Sequence, residues 1–150
     1  MRAACVDRQL IMPTAEQWII RNGAYRDGQD IVLPVIGSSA SIYLPVGGSV
    51  STFSHMPNAV FMPSGGNGKF LRSANYFAQD RITSVTPTLL ASGNAVPVSQ
   101  TDKWVSVPVW VLQPGPAVRW LLLTISVASS YGVPGTRFRP GPSDITVTRL

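Results

Sequence analysis

His55 is the only histidine in the chain, so a serine–histidine–acid relay would have to use it as its base. It sits in Phe53-Ser54-His55-Met56-Pro57, with no Gly-x-Ser-x-Gly turn to expose a serine nucleophile, and reads as a solvated or core-edge histidine. Cys5 is likewise the only cysteine, and one Cys with one His cannot supply the three or four ligands of a zinc site. Glycoside hydrolysis needs two facing carboxylates. The seven acids are scattered; Asp27 and Asp30 alone are close, and they read as turn caps. Ser64-Gly65-Gly66-Asn67-Gly68-Lys69 resembles a phosphate loop only in part, because the first Gly of Gly-x-x-x-x-Gly-Lys falls on Pro63 and Phe70 follows the lysine. These residues predict no catalytic set, no metal, no cofactor and no enzyme.

What remains is recognition chemistry carried by rings and guanidiniums. Lys and Arg number 12 against 7 acids, a net charge of +5. Ten of the twelve are Arg, which favours planar, paired and desolvated contacts, whereas Lys mostly solubilises. Interfaces are rich in Arg and aromatics and poor in Lys, Glu and Asp. Trp104, Trp110, Trp120, Arg137, Phe138 and Arg139 are therefore the expected interface residues. Arg137-Phe138-Arg139, Arg119-Trp120 and Arg72 near Tyr76 and Phe77 also allow non-specific contact with nucleic acid.

Val, Ile, Thr, Tyr, Phe and Trp total 49 of the 150 residues, while Glu and Lys total 3. That balance excludes an all-helical protein. Disorder is excluded by 45% hydrophobic and 13% charged residues. Thr14 with Gln17 and Gly23 bounds a short helix over Pro13–Gly23, and Leu71–Arg81 fits a helix or a strand. Strands are predicted at 30–36, 41–46, 49–54, 81–85, 88–91, 95–98 and 144–150. The Ile-x-Leu-Pro-Val echo of the first two fits adjacent antiparallel strands.

Trp104–Leu112 alternates four valines with Trp104, Ser106, Pro108 and Trp110. A turn at Gln113–Pro116 then leads into a strand over Ala117–Ala128. This reads as a hairpin with two apolar faces, one packed inward and the other on a second copy of the chain. Prolines 34, 45, 97 and 108 fall within predicted strands, which places them at edges, bulges or strand ends. The longest apolar run, from Trp120 to Ala128, is about half the length that a spanning helix needs and reads as a buried strand. The expected fold is mainly β, a two-sheet antiparallel sandwich or jelly roll with one or two short helices, or else a small barrel. One domain over 1–150 is expected, with possible arms at 1–12 and 133–150.

A lone cysteine, a charged start at Met1–Arg8 with no export signal, few Lys and Glu, and many prolines complete the profile. It resembles virion proteins in general, the capsid, decoration or tail components of a phage or small virus. That resemblance implies a structural protein made in the host cytoplasm and located in the virion. Its partners would be copies of itself and other virion proteins, with no membrane contact. The alternative is a carbohydrate- or receptor-binding β-sandwich module that uses exposed Trp and Tyr as stacking platforms beside polar loops such as 65–68.

Overall fold

The computed structural model describes residues 7–45, 50–63, 68–77, 84–114, 118–127, 132–141 and 145–149. Fourteen strands occur among them: β1 (Asp7–Ile11), β2 (Ile19–Arg21), β3 (Tyr25–Asp27), β4 (Asp30–Leu33), β5 (Ser39–Pro45), β6 (Val50–His55), β7 (Ala59–Met62), β8 (Gly68–Phe77), β9 (Ser84–Val96), β10 (Lys103–Val105), β11 (Trp110–Leu112), β12 (Trp120–Ser126), β13 (Thr136–Arg139) and β14 (Ile145–Arg149). They form three antiparallel sheets, in the orders β1-β14-β6-β11, β10-β7-β13-β4-β3 and β2-β5-β12-β8-β9. The expected fold class is therefore present: mainly β, with short 3-10 turns at Ala15–Gln17 and Val98–Gln100 as the helical content of the described residues.

The first two sheets are two halves of one broken layer. β6 continues into β7 and β10 into β11, joined by three and four residues over which the ladder lapses, and β13 and β14 take the matching places in the two strand orders. The Asn58 amide donates to the Arg139 carbonyl at 3.1 Å within the gap. Carbonyls left over by such a break need donors. Arg72 supplies them from the opposite layer: it is fully buried on β8 and donates to the carbonyls of His55, at 3.1 Å, and Pro108, at 3.0 Å. Its guanidinium also lies 5.6 Å from the Phe70 ring centre and 5.7 Å from that of Trp110.

Alternation fixes the core. In β12, Leu121, Leu123 and Ile125 point inward opposite Leu44, Ile42 and Ala40 of β5. Phe138 of β13 faces them from the other layer, its ring 5.2 Å from Trp18 and 6.1 Å from Phe70, each edge-on.

Several sequence expectations are corrected. The hairpin of Trp104–Leu112 with Ala117–Ala128 does not form. Pro108 cannot donate to a ladder, and the alternating run breaks at Ser106–Val109. Lys103–Val105 then pairs with β7 and Trp110–Leu112 with β6, while Trp120–Ser126 sits between β5 and β8. Segment 133–150 is not an arm: Thr136–Arg139 is a central strand and Ile145–Arg149 pairs on both sides. Of segment 1–12, Asp7–Ile11 is a strand against β14, and 1–6 lie outside the described residues. The helix over Pro13–Gly23 shrinks to Ala15–Gln17, where the Gln17 side chain accepts from the Thr14 amide at 2.7 Å, before β-branched Ile19-Ile20 turns to strand.

Leu71–Arg81 is strand as far as Phe77, and the rest lies outside the described residues. The three short strands expected at 81–98 are one, Ser84–Val96, with 81–83 outside the described residues. The Ile-x-Leu-Pro-Val strands β4 and β5 belong to different sheets. Pro34, Pro45, Pro97 and Pro108 all lie at strand ends or between strands.

With Phe138 wholly interior, Phe138→Ala should destabilise the fold by about 3–5 kcal/mol in urea unfolding. A loss below about 1 kcal/mol would mean that its contacts with Trp18 and Phe70 are not those of a packed core.

Candidate functional site

The sequence Thr136-Arg137-Phe138-Arg139 alternates with burial. Thr136 and Phe138 point inward, so Arg137 and Arg139 must stand together on the outer face of the second sheet. The register carries that face across five strands. Trp104 lies opposite Phe61, Phe61 opposite Arg137, Arg137 opposite Val32 and Val32 opposite Tyr25. Four interstrand steps make this row roughly 19 Å long. Beside it runs a second row, in which Ala59 faces Arg139 and Asp30 faces Asp27.

The two aspartates flank the Gly28-Gln29 turn, whose first residue has φ +61°, as a two-residue hairpin with glycine first requires. Like charges directly opposed across a ladder repel. Here two guanidiniums cancel them. Arg137 donates to Asp30 at 3.3 Å and to Asp27 at 3.2 Å, while Arg139 donates to Asp30 through Nε at 2.8 Å. The Asp30 carboxylate is only 7% exposed and serves both arginines, whereas that of Asp27 is 58% exposed and keeps free acceptor capacity. The hydrogen bond that Arg139 donates to Asp30 raises the Arg139 pKa above its ordinary value.

Arg139 in turn lies over Trp104, its guanidinium carbon 4.6 Å from the ring centre, within cation–π range. Phe61 meets the same indole edge-on at 5.6 Å. Trp104 is thus oriented on two sides, yet it remains 44% exposed; Tyr25, at the far end of the row, is 47% exposed. A depression of about 340 Å³ lies between Phe61, Trp104, Gly135 and Arg137. An exposed, braced indole beside paired donors and acceptors can stack on a flat apolar ligand face while hydrogen-bonding the groups at its rim.

Of the six expected interface residues, Trp104, Arg137 and Arg139 converge here. Phe138 is a core side chain with no exposed surface. Trp110 is half-buried on the inner face near Arg72, and Trp120 is half-buried in the third sheet, level with Pro45 and Phe77. Phe61, Tyr25, Asp27 and Asp30 were missed as site residues. The Asp27-x-x-Asp30 spacing was visible, but its partners lie 107 to 110 residues away. His55 is fully buried against Trp18. Among the described residues no group of three or more His, Cys, Asp or Glu side chains is placed to hold a metal. Loop residues 64–67 lie outside the described residues.

No protein-family pattern and no curated protein sequence matches this chain. Solved structures do share its fold. The CBM22-1–GH10 modules of endo-1,4-β-D-xylanase 10B from Clostridium thermocellum, solved with xylohexaose, align at TM-score 0.57 and 11% identity over 95% of this chain. The chain spans 28% of that protein. The C-terminal family 22 carbohydrate-binding module of the same organism's Xyn10B aligns at TM-score 0.52 and 14% identity, over 91% of this chain and 88% of that one. The C-terminal CBM6 of LamC from Zobellia galactanivorans aligns at 0.52 and 16%, over 97% and 100%. At these identities the likeness establishes a shared β-sandwich. It also overturns the virion-assembly expectation: the fold's neighbours are carbohydrate-binding modules, and the doubly shielded valine–tryptophan hairpin on which assembly rested is absent, with Trp104, Trp110 and Trp120 standing in three different sheets.

Proposed function

We propose that this chain is a polysaccharide-binding module, with the outer face of the second sheet as its platform. The observation that carries the reading is Trp104: an exposed indole with the Arg139 guanidinium over its ring and Phe61 at its edge, next to a carboxylate and a guanidinium that already pair with each other. A sugar ring offers an apolar C–H face and a belt of hydroxyls. The indole suits the first, and the Asp27–Arg137 pair, acceptor beside donor, suits the second. Two aspartates offset two arginines, so the platform has no net charge to attract a polyanion, and a neutral chain is the matching ligand. Tyr25 extends the row and makes room for several consecutive sugar units.

The likeness in fold to modules named as carbohydrate-binding supports this reading. The role proposed is binding without catalysis: Asp27 and Asp30 are both held by Arg137, and neither is placed to hand a proton to a leaving group.

Trp104→Ala should weaken retention on neutral polysaccharide in affinity electrophoresis by about tenfold or more while leaving the thermal midpoint within a few degrees. Equal retention of variant and parent across xylan, β-glucan and mannan gels would end this assignment. Asp30→Asn leaves both arginines short of their shared acceptor. It should cost about 1–2 kcal/mol of stability, the partial exposure of Arg137 and Arg139 reducing the figure for a buried pair, and should weaken polysaccharide retention at the same time. Unchanged retention with normal unfolding would show that Asp30 does not position the platform.

A further inference from the structure

A larger cavity, of about 510 Å³, opens where segment 12–16 meets the β3–β4 turn and the Pro140-Gly141 corner. It shares no lining residue with the Trp104 depression. Its volume falls within the ordinary range of small-molecule sites, and its composition is of that kind: apolar walls from Met12, Pro13 and Pro140, with a few polar groups from Thr14, Glu16 and Gln29. Met12 is 54% exposed, leaving an apolar wall open to an incoming ligand.

The walls are fixed before any ligand arrives. Arg26, on the inward-facing register of β3, donates to the carbonyls of Ala15 at 3.0 Å and Trp18 at 2.6 Å, and Gln17 closes the Thr14 turn. Among the described residues, the side chains of Glu16 and Gln29 make no hydrogen bond or ion pair. Among the described residues, no lysine or arginine lines the cavity. The Arg26 guanidinium is taken up by backbone carbonyls behind the wall, those of Ala15, Glu16 and Trp18, and that of Arg139 by Asp30 and Trp104. In a chain of net charge +5, Glu16 is the charged side chain among the described residues that line this concavity, with amide and hydroxyl acceptors beside it.

From this arrangement we propose a second binding site, separate from the platform, for a small organic ammonium ligand of the amino-sugar type. Its amine pairs with Glu16, its hydroxyls meet Thr14 and Gln29, and its ring lies against Met12 and Pro140. Charge separates the two sites: the platform is neutral, whereas this cavity selects a cation.

The test is titration of the ¹⁵N-labelled chain with glucosamine and, separately, with N-acetylglucosamine, which has the same ring without the charge. Glucosamine should move the amides of Thr14, Glu16, Gln29 and Gly141, and it should bind about fivefold or more tighter than the acetylated sugar. Glu16→Gln, at an exposed position, should remove that difference. Trp104→Ala should leave it intact, so that failure of the platform and failure of this cavity are read separately. Equal affinity for the two sugars, indifference to Glu16→Gln, or shifts confined to the Trp104 face would each overturn the proposal.

Discussion

The interrupted layer is possible because one buried cation reaches across the sandwich. Where the pairing lapses between β10 and β11 and at the end of β6, carbonyl oxygens are left without strand partners, and a dry carbonyl without a donor is expensive. Arg72 answers two of them at once from β8, with its guanidinium within cation–π range of the rings of Phe70 and Trp110. Because the break is tolerated, the alternation of β11 against β6 need not carry over into β10 against β7. That reset of the alternation puts Trp104 on the same face as Arg137 and Arg139. A continuous nine-residue strand would have kept Trp104 and Trp110 on one side of one sheet.

The second determinant is the two-residue period of β13. One short strand supplies both the aromatic plug that joins the layers and the two guanidiniums of the platform, so stability and recognition rest on alternate residues of the same tetrapeptide. The arginines in turn permit the opposed aspartates at the Gly28 turn. Charges that would repel at a hairpin end become its fastening once a third strand brings counter-charges alongside.

Much of the architecture was legible in the sequence because it depends on composition and local period. Few helix formers, the alternation in Ile145–Arg149 and the apolar run from Trp120 all pointed to strands, and strands are there. The platform was legible only by residue type. Trp104, Arg137 and Arg139 stood out as large, planar and adhesive, but their neighbours did not, since Phe61 and Tyr25 sit in short unremarked strands and the Arg–Asp pairs span more than a hundred residues. Misreadings arose where a local pattern was real but outweighed. The Thr14–Gln17 capping arrangement exists and yields three helical residues, and the valine alternation across Pro108 exists but the ladder cannot pass the imide. The placement of Arg137-Phe138-Arg139 on an arm failed because flanking prolines and glycines look the same around a linker as around a central strand.

One pairing has a mechanical corollary. Asp7 lies opposite Arg149, so β1 and β14, the outermost strands in chain order, run antiparallel with their distal tips side by side. Tension applied through those two tips would peel the pair apart rung by rung, each bond bearing the load alone, instead of shearing all five registered positions together. A sandwich gripped in that way yields readily to a pull, while the Trp104 surface, built in the other half of the layer, stays clear of the fraying edge.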